Sequence, residues 1–160
     1  MAPTTIGDTT TYSCVIFDGS PTSDLPDDSC TYAWYFRYGS YKVVPMRILE
    51  PTIAGGGFAT TSDYFKWDIQ IIFNDVVVKN ADRDTLLKAL MWWSKNDAAT
   101  PGGLRYLYMK DGTGNVIKFG TYSTPTTLAQ LTGRETIMNI EGRAGQQHET
   151  WTVQFRRYTG

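Results

Sequence analysis

The sequence predicts a mainly β protein, a β-sandwich or barrel of antiparallel strands with one flanking α-helix at about residues 82–96. Three observations predict it. Within residues 65–79, Trp67, Ile69, Ile71 and Phe73 alternate with mostly polar neighbours, the period of a half-buried strand. From Asp82 the apolar period lengthens, and Leu86, Leu87, Leu90, Met91 and Trp93 close onto one side of a 3.6-residue helix. Ten Tyr, seven Phe and five Trp, 14% of the chain, suit strands, where flat side chains pack across a pleated surface.

Taken in order, residues 9–17 read as a first strand, in which Tyr12, Cys14 and Ile16 alternate with Ser13, Val15 and Phe17. Residues 20–29 carry Pro21, Pro26 and several Asp and Ser, and read as a loop. Residues 31–37 are apolar on both faces, and Tyr38-Gly39-Ser40 is a turn that would make a hairpin with a strand at 41–49. Pro45 interrupts that strand and places it at an edge or a bulge, because proline donates no ladder hydrogen bond. Gly55-Gly56-Gly57 connects to the long strand. The helix starts with Asp82 as N-cap and Asp84 at the positive end of the dipole, and Asn96-Asp97 followed by Pro101-Gly102-Gly103 ends it. Residues 104–110 and 116–120 form a hairpin, residues 123–132 fit no single element, and 135–141 and 149–158 form a final pair.

One domain over residues 1–160 accounts for this pattern, and the length is enough to bury a core. Fifteen Lys and Arg against sixteen Asp and Glu leave a net charge of −1. That balance argues against a nucleic-acid grip, which needs basic residues to neutralise phosphates. No stretch approaches the roughly 20 apolar residues that span a bilayer. The start lacks a basic and apolar leader, so the expectation is folding in a reducing cytosol. Cys14 and Cys30 flank the turn-rich loop. A disulfide is geometrically open to them if their strands pair, but in that compartment two buried free thiols are the expected state.

No catalytic signature accompanies the fold, and the reading is of a building block rather than an enzyme. His148 is the only histidine and reads as a solvated turn residue. The cysteines lack zinc spacing, no Gly-x-Ser-x-Gly occurs, and neither glycine cluster leads a Lys-Ser or Lys-Thr into a helix. Asp24, Asp27 and Asp28 lack the alternation and closing glutamate of a calcium loop, so a polar loop is expected and neither metal nor cofactor. Carboxylate pairs for glycoside cleavage are set in three dimensions and stay open.

The cluster Tyr32, Trp34, Tyr35, Phe36, Tyr38 and Tyr41 admits two readings. Exposed, these rings could stack on sugars, as in a carbohydrate-binding module. Covered on both faces, by the core and by a partner chain, they mark a subunit interface, with Tyr35, Tyr38 and Tyr41 as its candidates. Trp92 falls off the apolar stripe, near Lys88, and is a fourth candidate contact.

In element order and pattern, the chain resembles the tail-tube and distal-tail (baseplate hub) proteins of tailed bacteriophages. The resemblance rests on residues 67–73, 83–90, 104–120 and 151–157, its span covers about half to two thirds of the chain, and the N-terminal third departs most. It implies a β-sandwich with a flanking helix, assembling as a hexameric ring with other tail or baseplate proteins in the virion. Assembly would take place in the host cytoplasm, and DNA would pass through the conduit without specific binding. Sheet edges would be consumed by assembly, and near-neutral charge would leave passing DNA unheld. Residues 31–49 are the expected inter-subunit or lumenal hairpin.

Overall fold

The computed structural model describes residues 1–54, 58–95, 104–121, 123–142 and 145–158, with 47–54, 58–67 and 133–138 described by backbone alone. In chain order these form β1 (Thr4–Ile6), β2 (Cys14–Phe17), β3 (Tyr32–Phe36), β4 (Ser40–Ala54), β5 (Phe58–Lys79), a 3-10 turn (Asn80–Asp82), α1 (Arg83–Lys95), β6 (Arg105–Lys110), β7 (Val116–Ile117), β8 (Ala129–Glu141) and β9 (His148–Arg157). Hydrogen bonds join the strands into one sheet of order β1-β3-β2-β6-β8-β9-β5-β4, with β7 beside β6. The mainly β class with a single helix is as expected. One pair departs from the antiparallel pattern: β1 runs parallel to β3, with Thr4 opposite Tyr32 and Ile6 opposite Trp34.

The sheet folds over on itself. Three strands separate β3 from β9 in the ladder, yet the Trp34 and Trp151 rings lie 6.4 Å apart, and Phe36 of β3 meets Phe73 of β5 at 5.4 Å. Such contacts require the β1-β3-β2-β6 half to face the β9-β5-β4 half across a shared core, the sandwich arrangement. Two backbone bonds close the seam: Gly39 N–H donates to the Asn74 carbonyl (2.9 Å) and Val77 N–H to the Arg37 carbonyl (3.3 Å). β3 therefore gives alternate residues to two clusters. Trp34 and Phe36 enter the main core, while Ala33 and Tyr35 face a second cluster with Val15, Phe17, Cys30, Tyr108 and Leu128.

A bulge in β5 resets its phase. Phe73 pairs with Val153 and Val76 with Trp151, so three steps on β5 oppose two on β9. The extra residue is absorbed at Asp75, whose φ of 54° is left-handed, and the buried set passes from Ile71 and Phe73 to Val76 and Val78. Gly7, just after β1, has a φ of +88°, and a Cβ there would lie 1.9 Å from the Tyr35 carbonyl oxygen. Glycine alone permits that approach.

The helix lies on the main core through Leu86, Ala89, Leu90 and Trp93, an i, i+3, i+4, i+7 stripe. Leu87 is half-buried at its border. Met91 was expected on that stripe; it is instead 72% exposed, because position 91 sits about 100° round the helix from Leu90. The α-helix starts at Arg83, within one residue of the expected start, but Asp82 does not cap it as expected. Asp82 lies inside the 3-10 turn, and Arg83 follows it at φ −54°, so the chain is already helical where Asp82 was expected to cap. Arg83 pairs with buried Glu149 of β9 at 3.0 Å, which fixes the start. At the other end, the Trp93 indole donates to Asp18 (3.1 Å), and Arg105 Nη1 donates to the Trp93 carbonyl (2.5 Å), satisfying one of the carbonyls a helix terminus leaves open.

Other boundaries moved as well. Of the strand expected at 9–17, only Cys14–Phe17 is regular; the long strand begins at Phe58 rather than 65, β7 ends at Ile117, and β8 starts at Ala129 inside the unassigned 123–132 segment. The expected helix stop at 96–103 and the Gly55-Gly56-Gly57 connection lie outside the described residues. The largest correction concerns residues 31–49, which are not a hairpin. β3 pairs with β1 and β2, whereas β4 pairs with β5. Tyr38 and Gly39 carry the chain from one half of the sandwich to the other, because the buried residues of β3 face Phe73 across the core rather than beside it.

Candidate functional site

The four candidate interface residues do not share one surface. Tyr35 is half-buried on the second cluster, edge-on to Tyr12 at 4.9 Å, and burial raises its phenol pKa. Tyr38 and Tyr41 do come together. Tyr38 is packed against Phe36, Phe73 and, at 5.7 Å, Tyr41, which is 40% exposed at the start of β4. Trp92 lies apart on α1, also 40% exposed. The six-membered aromatic cluster is thus divided: Trp34 and Phe36 are buried, Tyr32, Tyr35 and Tyr38 half-buried, and Tyr41 alone is exposed.

Burial, followed by the neighbouring Cys14 and Tyr41, pushes the Tyr38 pKa up to about 12. The sign of the consequence follows from proton linkage. Between the unfolded value near 10 and about 12, the folded chain holds the phenol proton that the unfolded chain has released. Stability linked to this residue is full below pH 10 and is lost as pH rises to about 12. Tyr38→Phe should flatten that part of the curve. Denaturant midpoints with phenolate absorbance across the same range check this, and equal slopes in both proteins would count against it.

The sequence did not disclose the most distinctive feature, the long two-stranded run of β4 and β5. Among the described residues β4 is the last strand in the ladder and pairs only with β5, from Ser40 opposite Asn74 to Ala54 opposite Phe58. β9 joins β5 no earlier than Gln70. Residues 58–69 of β5 therefore have β4 as their one partner among the described residues. The two strands make an arm of about 40 Å at 3.3 Å per residue. Pro45 sits on this edge strand, and a register shift falls between Leu49 and Pro51, in keeping with the expectation that proline belongs at an edge or bulge.

A buried clamp holds the root of the arm. Asp68, 1% exposed, accepts from Arg156 Nε at 2.7 Å and from the Ile69 N–H at 2.8 Å, with Arg157 Nε 3.6 Å away. Arg157 Nη1 donates in turn to the Phe119 and Gly120 carbonyls (3.4 and 2.5 Å). Asp68 was expected on the polar face of the strand; its ion partners come from β9, more than eighty residues on.

At the far end of β5 is a cleft of about 280 Å³, lined by Asp8, Arg37, Lys79, Asp82 and His148 among others. Two of its charged groups, Asp8 and Arg37, are engaged locally. Asp8 accepts from the Thr10 and Thr11 hydroxyls and the Thr10 N–H, which holds its carboxyl well below the usual range, and Arg37 Nε donates to the Thr11 carbonyl (2.9 Å). His148 is exposed and makes no hydrogen bond to a carboxylate among the described residues. Asp27 organises the 20–29 loop by accepting from Thr22 and Ser29, hydrogen bonds that lower its pKa to about 2, and Asp24 pairs with Lys118 at 3.1 Å. Among the described residues no cluster of His, Cys, Asp or Glu is placed to hold a metal, and no helix is long and apolar enough to cross a membrane. Cys14 and Cys30 are free and buried, one in the main core and one in the second cluster. Compared with known proteins, the chain matches no family model and no curated protein sequence.

Proposed function

We propose that this chain is a structural virion protein, a ring-forming component of a phage tail at the distal tail, tube or baseplate, whose copies join to line or extend the DNA conduit. The observation that carries the reading is the β4 edge with its arm. A strand of 15 residues with no ladder partner on one side among the described residues is a template for pairing, and natural proteins cover, shorten or use such edges. Two strands alone are marginally stable in water, so residues 46–69 gain support when another chain lies against them. A closed ring is the assembly that consumes every such edge. Near-balanced charge, −1 overall, suits a conduit through which DNA moves. Tyr41 and Val44, exposed on β4, would be covered by the neighbour.

In this reading the partners are further copies, a hexamer by resemblance, and other tail or baseplate proteins; no catalysis or cofactor is called on. Negative-stain electron microscopy of the recombinant chain, with light scattering, should show six-fold rings or tubes. Uniform monomers at all concentrations, and in the particle of origin, would refute it. The alternative, a carbohydrate-binding module, would have to use Tyr41 and its neighbour Tyr38, and glycan-array binding by a monomer would favour it.

A further inference from the structure

Three tryptophans are buried in the main core, and two of them have acceptors within the chain: the Trp93 indole donates to Asp18 (3.1 Å) and the Trp151 indole to Glu149 (3.0 Å). Trp34, 2% exposed, has no acceptor among the described residues. Its Nε1 is not sealed from solvent, and the opening that Trp34 lines is the cleft of about 280 Å³ at the far end of β5. Buried N–H groups are almost always paired, so one left open to a cleft is a place for an acceptor from outside. The other lining groups offer the same chemistry. Arg37 uses Nε on the Thr11 carbonyl (2.9 Å), and its terminal nitrogens have no partner among the described residues; neither has the Lys79 ammonium. His148 stands directly opposite Lys79 across β5 and β9, so the two side chains share one side of that ladder. Of the two lining carboxylates, Asp8 has both oxygens occupied by Thr10 and Thr11 of its own loop, and Asp82 has no hydrogen bond among the described residues. Unused donors therefore outnumber unused acceptors. Ile6 and Phe36, buried beside Trp34, make the floor apolar.

We infer that this cleft binds a small organic carboxylate with an apolar body, whose oxygens accept from Trp34 Nε1 and from the Arg37 and Lys79 cations. The apolar part lies on Ile6 and Phe36, the usual division of a small-molecule site into an apolar lining and a few placed polar groups. A single negative charge suits the rim. Phosphate would bring a second charge against Asp8 and Asp82, where like charges repel. The Asp8 and Arg37 bonds hold the loop wall in shape, so little freedom is lost on binding. All these groups belong to one chain, and the site does not rest on the self-assembly reading.

Titrating the isotope-labelled protein with phenylacetate, read by proton–nitrogen NMR of the assigned indole N–H groups, tests it. The Trp34 signal should move downfield and saturate in the millimolar range as its N–H gains an acceptor. Those of Trp93 and Trp151, already bonded, should stay in place. Phenylacetamide, the uncharged isostere, should bind at least about tenfold more weakly, because hydrogen bonds to charged groups are the stronger ones. Arg37→Gln and Lys79→Gln should each weaken phenylacetate binding severalfold, and both positions are exposed, so the parent's thermal midpoint should be kept. A Trp34 signal that does not move would overturn the inference, as would equal affinity for the amide or tighter binding of inorganic phosphate. Unchanged affinity in both variants, or shifts spread equally over Trp93 and Trp151, would overturn it too. Each readout is independent of whether the chain assembles, so the ring reading stands or falls separately.

Discussion

Asp68→Ala is expected to remove about 3–5 kcal/mol of folding free energy, the usual cost of removing one partner of a buried ion pair. The carboxylate is 1% exposed, and the side chains of Arg156 and Arg157 are 21% and 13% exposed. Without it, two guanidinium groups stay in a poorly hydrated site, and the Ile69 N–H loses its acceptor. Arg157 keeps its bonds to the Phe119 and Gly120 carbonyls, so the damage should centre on the root of the arm. Asp68→Asn preserves size and one acceptor oxygen and should cost less than alanine. Urea denaturation gives the total, and hydrogen exchange locates it, with faster exchange around residues 68–74 and 154–157. A loss below about 1 kcal/mol, the range of exposed ion pairs, would mean that the clamp contributes little.

Shortening the arm should abolish assembly and spare the body. Arg47 and Trp67 are direct partners across β4 and β5, so residues 48–66 can be replaced by Asn-Gly, a two-residue turn suited to a hairpin. Asp68 and its arginines remain, as do all the core residues of β5 from Ile71 onward. The expected outcome is a cooperative monomer with close to the parent's thermal midpoint. Its assembled fraction should fall at least about tenfold, equivalent to about 1.4 kcal/mol per contact. Light scattering and electron microscopy measure the second quantity, calorimetry the first. Rings or tubes formed as readily as by the full-length chain would remove the arm from the assembly mechanism, and collapse of the body would show that the arm serves folding instead.

The two outcomes separate local support from intermolecular support. The clamp lies inside one chain and should register as stability at any protein concentration. The arm, on the proposed reading, would act between chains and should then register as concentration-dependent association.

What the sequence alone determined is whatever depends on neighbours a few positions apart. Alternation in the long strand and in 149–158 placed Ile71, Phe73, Trp151, Val153 and Phe155 in the core, and the change of period placed the helix within one residue of its observed start. Pro45 marked an edge because its missing N–H is a local fact. Tertiary structure alone decided the pairing of distant strands. Residues 31–37 are apolar on both faces, and that pattern fits a strand beside β4 as well as one facing β5 across a core; only the packing of Trp34 on Trp151 and Phe36 on Phe73 selects the second. The three-residue β1 was too short to give a period, and the bulge at Asp75 exists only relative to β9. Asp68 looked solvent-facing because an alternating pattern assigns polar residues outward, and nothing nearby announces the arginines that allow it to be buried. The same holds for the arm. Its strands are legible as strands, but a strand becomes an edge only when the rest of the sheet has taken its places elsewhere.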